Sequence, residues 1–211
     1  MRHARTSGTR ISGLSEPPAG IPSIPLSLPP NHTVPGLFPV RIGILSDTHD
    51  RLSMIEKAVA WCNDTKVDLV LHAGDYIAPF VIDTLAGLRA PMVGVFGNND
   101  GDRDMLLMKC REKKHLEIRG DITEVSAGGR DIALLHGHQK DRLAEVIQRG
   151  NHAVVVHGHS HRPTISREGN TLVVNPGAVS GYLTGRCTVA LLETEHMTVE
   201  IEDLLPDQPG R

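Results

Sequence analysis

Five times in this chain an apolar run stops at a short polar cluster, and this repetition constrains the fold more than any other feature. The clusters are Asp47-Thr48-His49, Gly74-Asp75, Gly97-Asn98-Asn99-Asp100, His136-Gly137-His138 and Gly158-His159-Ser160-His161. The runs before them, at 40–46, 68–72, 91–96, 130–135 and 153–157, are short and rich in Val, Ile and Leu. Runs of that length bounded by turn residues read as buried strands. Between the first two strands, Leu52, Ile55, Val59 and Cys62 recur at helical spacing and predict a helix over 52–62. Ser53 and Glu56 have the spacing of a capping box at its start. A second helix is predicted over 78–88. A β-α-β-α-β opening implies parallel strands joined by right-handed crossovers. It also carries the polar strand ends to one rim, where α/β sheets place their sites.

The second half reads differently. Strands are predicted at 115–119, 122–126, 130–135, 153–157, 163–167, 171–175, 186–193 and 197–201, with a helix at 139–149 that Gly150 is placed to end. Gly128-Gly129 is a good hairpin turn. So many strands call for a second sheet packed on the first. The expected class is α/β (α+β), a two-sheet sandwich with flanking helices over residues 39–206. Eight of the 14 prolines lie in the first 39 positions, which excludes a helix or central strand there. Residues 1–38 therefore read as a disordered or polyproline-like tail, in preference to a transit peptide despite Arg2, Arg5 and Arg10. Residues 207–211 read as a C-terminal tail.

Bulk properties narrow the function. No apolar run nears the roughly 18–20 residues of a membrane span. The formal net charge of −3 and the 3% aromatic content disfavour nucleic-acid polymers as partners. Cys62, Cys110 and Cys187 are odd in number and scattered, which fits a reducing, cytoplasmic setting and no thiolate zinc site.

Taken singly, each polar cluster reads as an ordinary turn. Taken together they do not, because solvated loops have no need of His, Asp and Asn at five successive strand ends, whereas metal ions do. In Gly-His-Ser-His, extended backbone puts His159 and His161 on one face. Seven ligand-type residues exceed what one tetrahedral ion uses and fit two ions sharing a carboxylate. Imidazole and carboxylate suit Mn, Ni, Fe, Zn or Co. His72 and His157 sit inside apolar runs and read as core histidines, while Asp50 and Asp100 read as loop-capping groups.

As an ordered set, these motifs resemble the calcineurin-like metallophosphoesterases, in particular their small microbial phosphodiesterase branch. The resemblance runs from about Val40 to near the C-terminus and implies a four-layer αββα fold. It implies Asp47, His49 and His161 on a first divalent ion, Asn98, His136 and His159 on a second, and Asp75 bridging them. Mn is the leading candidate for both. It further implies a small phosphodiester substrate, hydrolysed by a hydroxide held between the ions, and a possible homo-oligomer. Two divalent ions, Asp47, Asp75 and hydroxide leave about one residual positive charge to attract the diester anion. His138 is the candidate for substrate contact or proton transfer. Asn175-Pro176-Gly177 also resembles a late segment of the branch and is read as structural. Asn99 departs from the pattern: many members carry a histidine there that acts on the leaving group, and an amide cannot donate a proton as an acid does. The alternatives are a non-catalytic scaffold on the same fold and a phosphomonoesterase.

Overall fold

The structure is a computed structural model that describes residues 39–205. The proline-rich segment 1–38 and the tail 207–211 lie outside the described residues. Two sheets carry the fold. In the first, β1 (Arg41–Leu45), β2 (Leu69–His72), β3 (Met92–Gly94) and β4 (Leu116–Ile118) run parallel in that order. β10 (Thr188–Glu193) pairs antiparallel on the other side of β1, and β11 (Thr198–Asp203) closes that edge. The second sheet has the order β5 (Ile122–Ala127), β6 (Arg130–Leu135), β7 (Val154–Val156), β9 (Thr171–Asn175), β8 (Thr164–Glu168). Its three inner strands are parallel and its two edges antiparallel.

Alternation along these strands explains the layering. Ile42, Ile44, Leu69, Leu71 and Val93 of the first sheet meet Ile132, Leu134, Val154, Val156, Leu172 and Val174 of the second. The intervening residues turn outward. Leu45, Val70 and Met92 pack under α1 (Leu52–Thr65), α2 (Val81–Leu85) and α3 (Arg103–Lys113). Ala133, Leu135, Val155 and Val173 pack under α4 (Lys140–Arg149). Strands apolar on both faces are what a sheet covered on both sides requires. The result is four layers, helix-sheet-sheet-helix. Each fully buried Val, Leu or Ile contributes about 1.5–3 kcal/mol to holding them together.

Three local expectations are corrected. The Ser53/Glu56 capping box does not form: α1 begins at Leu52, with Arg51 at its N-cap and no side-chain cap bond, so Ser53 lies inside the first turn. The second helix is only Val81–Leu85, because the chain after Pro79 has room for little more than one turn. Residues 103–113, given no element in the sequence reading, form α3. That helix buries only Leu106 and Cys110 along an otherwise charged surface, too narrow a stripe to register as a period. Gly150 does end α4, with φ 63.

Candidate metal centre

The β-sandwich brings all five clusters to one rim, and backbone bonds lace them together. The Asp47 and His49 N–H groups donate to Gly74 O (3.0 Å) and Asp75 O (3.1 Å), joining the first two loops. Gly158 N donates to His136 O (3.0 Å), joining the last two. His159 N donates to Asp47 Oδ2 (3.0 Å), a bond that crosses from the second sheet to the first. Small residues permit this closeness. A Cβ on Gly74, where φ is +95°, would lie 2.6 Å from Gly97 N, and one on Gly158 would lie 1.9 Å from Ser46 Oγ.

All seven proposed ligands meet here. Asp47 is fully buried, and its Oδ2 accepts from Ser46 Oγ at 2.6 Å. Its Oδ1 lies 3.2 Å from His161 Nε2 and 3.6 Å from His49 Nε2, yet has no partner with hydrogen-bond geometry. The two imidazole nitrogens, His49 Nε2 and His161 Nε2, are 3.2 Å apart. Asp75 Oδ2 lies 3.5 Å from His49 Nε2 and 3.3 Å from His136 Nε2, so one carboxylate faces both halves of the set. His136 donates through Nδ1 to Ala73 O (2.7 Å), which leaves Nε2 aimed at the centre, 3.1 Å from Asn98 Oδ1. The His159 ring stands edge-on to His136, with centroids 5.2 Å apart. Asp47, His161, Asp75 and His136 are buried, whereas Asn98 and His159 are exposed. One half of the centre is thus sealed and the other opens to solvent.

The electrostatics favour a cation. Burial alone would push Asp47 up, but His161 and His49 hold its carboxyl far below the usual carboxylate range. Burial likewise opposes ionisation of Asp75, and His136 with Asn99 overcomes it. Two buried carboxylates stay charged, and ring nitrogens with nothing between them converge on the same space. Protons or metal ions must sit among such groups. Two compact sets could hold an ion: Asp47, His49, His161 and Asp47, Asp75, His136. Five of the seven residues (Asp47, His49, Asp75, His159 and His161) have φ between 42° and 67°. Non-glycine residues rarely adopt that region, and such strain collects at functional sites.

The remaining sequence expectations divide. His72 is a core histidine: it is fully buried, stacks on Tyr76 at 3.9 Å, and burial pushes its pKa down to about 3. His157 is half-buried and lies 3.3 Å from Asn175 Nδ2. Asp100 does cap the loops, accepting the N–H groups of Asp75 (3.1 Å), Tyr76 (2.7 Å), Ile77 (2.9 Å) and Gly97 (2.7 Å). Asp50 accepts from Ala78 N. Arg103 donates to Gly97 O and lies over Phe96 at 4.7 Å. His138 is partly buried, 5.6 Å from His136 and 6.2 Å from His159 by ring centroids.

The partners of two residues singled out in the sequence, Asn99 and the structural Asn175, were not legible there. Asn99 donates to Asp75 through both its backbone and its amide. Asn175 steadies the His159 loop by donating to Gly158 O (2.8 Å) and Ser160 Oγ (3.0 Å). Only its place before Pro176-Gly177 hints at that role in the sequence.

Known proteins share this fold. The model of the calcineurin-like phosphoesterase superfamily domain matches residues 40–197. A phosphodiesterase of Methanocaldococcus jannaschii is 38% identical over 156 residues, covering 74% of this chain and 94% of that protein. A solved structure described as a novel archaeal phosphodiesterase superimposes with TM-score 0.75 at 36% identity, covering 78% of this chain and 99% of the other. Vps29 of Entamoeba histolytica, at 19% identity and TM-score 0.58 over 77% of this chain and 98% of its own, shares the fold.

Proposed function

The chain belongs to the calcineurin-like phosphoesterase superfamily, and on that premise we propose that it hydrolyses phosphodiesters using two divalent ions held by Asp47, His49, His161, Asp75, Asn98, His136 and His159. One observation carries the reading: Asp75 Oδ2 lies within 3.5 Å of ring nitrogens from both halves of the set, His49 and His136. A carboxylate so placed is suited to serve two ions. Bound ions of this kind supply hydroxide near neutral pH and neutralise charge on phosphoryl oxygens. Imidazole, carboxylate and one amide oxygen suit Mn, Ni, Fe, Zn or Co, and Mn is our leading choice among them.

The protein's own groups set up that chemistry. Asp47 and Asp75 remain ionised although buried, so neither carboxylate need lose a proton before a cation enters. The Ala73 carbonyl fixes the His136 tautomer. The open side, at Asn98 and His159, admits a substrate. His138 borders it, and burial with the nearby His136 holds its imidazole below the usual range. A neutral imidazole there can accept a hydrogen bond or a proton. Asn99 supplies no acid, which favours esters whose leaving group departs without one. That points to diesters with stable leaving groups over monoesters of poor ones. Among the described residues, no helix is long and apolar enough to cross a membrane. The three cysteines are free and buried, and we place the enzyme in the cytoplasm.

Purified protein loaded in turn with Mn, Ni, Mg and Zn should hydrolyse bis(nitrophenyl) phosphate faster than nitrophenyl phosphate. A clear monoester preference would replace the diesterase reading. Absence of both activities, together with failure to retain any divalent ion, would leave a scaffold on this fold.

A further inference from the structure

The residue after the Asn98 ligand position does more than depart from a family pattern. Asn99 makes two hydrogen bonds to one side chain. Its backbone N–H donates to Asp75 Oδ1 (2.9 Å), and its amide Nδ2 donates to Asp75 Oδ2 (2.7 Å). The orientation of the amide follows from chemistry: a carboxylate offers only acceptors, so the NH2 end must face it. The two bonds span both oxygens and fix the carboxylate plane. They also tie the β2 loop to the β3 loop at the point where Asn98 projects into the centre.

Asp75 needs this fixing. It stands at φ 61°, in strained backbone, and Gly97 passes so close that a Cβ there would lie 2.0 Å from Asp75 Oδ1. The other groups near its oxygens are imidazoles at 3.3 and 3.5 Å, which are themselves proposed ligands. An ion that occupied those nitrogens would leave Asn99 as the holder of the carboxylate. A carboxylate has about four lone-pair positions. Asn99 takes one on each oxygen and leaves one on each free for other partners.

From this geometry we infer that Asn99 is a positioning residue that clamps Asp75 and thereby sets affinity at the second, Asn98-bearing ion site. The inference rests on the two-ion reading above. It assigns the Asn99 side chain to the carboxylate and not to the substrate. The amide therefore governs how firmly the open half of the centre holds its metal. Asp47, His49 and His161 already form a compact set without Asp75, so that half depends on the amide less.

The test is calorimetric titration of chelator-stripped full-length protein with Mn2+, comparing wild type with Asn99→Ala and Asn99→Ser. Thermal unfolding of each stripped protein checks that the fold is kept. Removing a group that orients a ligand costs on the order of 10–100-fold in metal affinity. The expected result is two binding events in wild type. In Asn99→Ala the weaker should loosen by about that factor while the tighter changes less than about threefold. Asn99→Ser, with a shorter donor, should fall between. Unchanged affinity at the weaker site, equal loosening of both sites, or tighter binding would each overturn the inference. Tighter binding would mean that the amide competes with the ion for Oδ2. A wild-type protein that takes up fewer than two ions would overturn the two-ion reading first, before any variant is compared.

Discussion

The interior between the sheets and the rim above it are built from the same strands under opposite rules. In the interior, Ile42, Ile44, Val154 and Val156 are fully buried, apolar and in ordinary extended backbone. A few residues further along the same strands, Asp47 and His159 adopt left-handed backbone, and buried carboxylates face imidazoles. The interior is locally consistent at every level. The rim breaks several rules within a few ångströms, and proteins tolerate that where function requires it. The difference separates two kinds of mutation: those that cost stability and those that cost chemistry.

The sharpest way to break the comparison is a matched pair. Asp47→Asn keeps side-chain shape and a residue type that tolerates left-handed backbone, yet removes a buried charge facing two histidines. We expect activity to fall by at least about 10²–10³-fold, the scale of losing one electrostatic catalytic group, with urea unfolding nearly unchanged. Ile44→Ala should do the reverse, costing about 2–5 kcal/mol in unfolding while metal content and turnover at low temperature persist. If Asp47→Asn unfolds the protein, the rim is structural and the division fails.

Gly74→Ala should damage both regions. At φ +95°, with its new Cβ 2.6 Å from Gly97 N, the methyl group can be accommodated only if the β2 and β3 loops separate. That separation also moves Asp75 from Asn98. A loss of about 1–3 kcal/mol from strained backbone should therefore accompany weaker Mn binding, read by melting with and without the ion. Equal losses in both conditions would show that the loops move without the site.

These contrasts also mark how much the sequence made legible. Short continuous apolar runs revealed the strands, because burial on both faces leaves such runs; their number called for a second sheet, and the family resemblance implied the four layers. The polar clusters were legible because each follows such a run, and the family resemblance picked the seven proposed ligands out of them. α3 was hidden, since Leu106 and Cys110 are its only buried side chains. The cap of α1 was misplaced because Arg51 is held instead by its guanidinium, which donates to Ser180 O and lies 5.4 Å from the Tyr182 ring. Those partners are more than a hundred residues away, and no local pattern reports them. The same holds for Asn175 and its grip on the His159 loop.

Histidine extends the comparison to pH. His72 lies in the buried layer beneath the helices, stacked on Tyr76, where burial pushes its pKa from 6.5 down to about 3. Its unfolded form takes up a proton below about 6.5, and its folded form refuses one until about 3. Its contribution to stability is therefore present above 6.5 and is lost as pH falls through that window. The slope approaches about 1.4 kcal/mol per pH unit for one proton. His72→Asn retains an acceptor for the Gly74 N–H and cannot titrate. Its urea-unfolding free energy, measured at pH 7, 6 and 5, should fall less steeply than that of wild type. Parallel lines would mean that water reaches His72 and the interior is less sealed than its burial implies.

The smallest effect is expected at His138, which belongs fully to neither region. It is partly buried, its Nδ1 has no hydrogen-bond partner, and its ring is 5.6 Å from His136. Its pKa is lowered by burial first and by His136 second, so near neutrality it is an uncharged imidazole. A proton-transfer residue contributes about 10²–10⁴-fold. Because Asn99 is no acid, a diester with a good leaving group should need little of that help. His138→Ala should therefore cost less than about tenfold on an activated diester. The cost should rise as the leaving alcohol becomes more basic and, because a proton donor acts in its protonated form, the alkaline limb of the pH–rate profile should flatten. A uniform loss across leaving groups, with an unchanged profile, would reduce His138 to a substrate contact. No loss at all would return it to the polar edge of the rim.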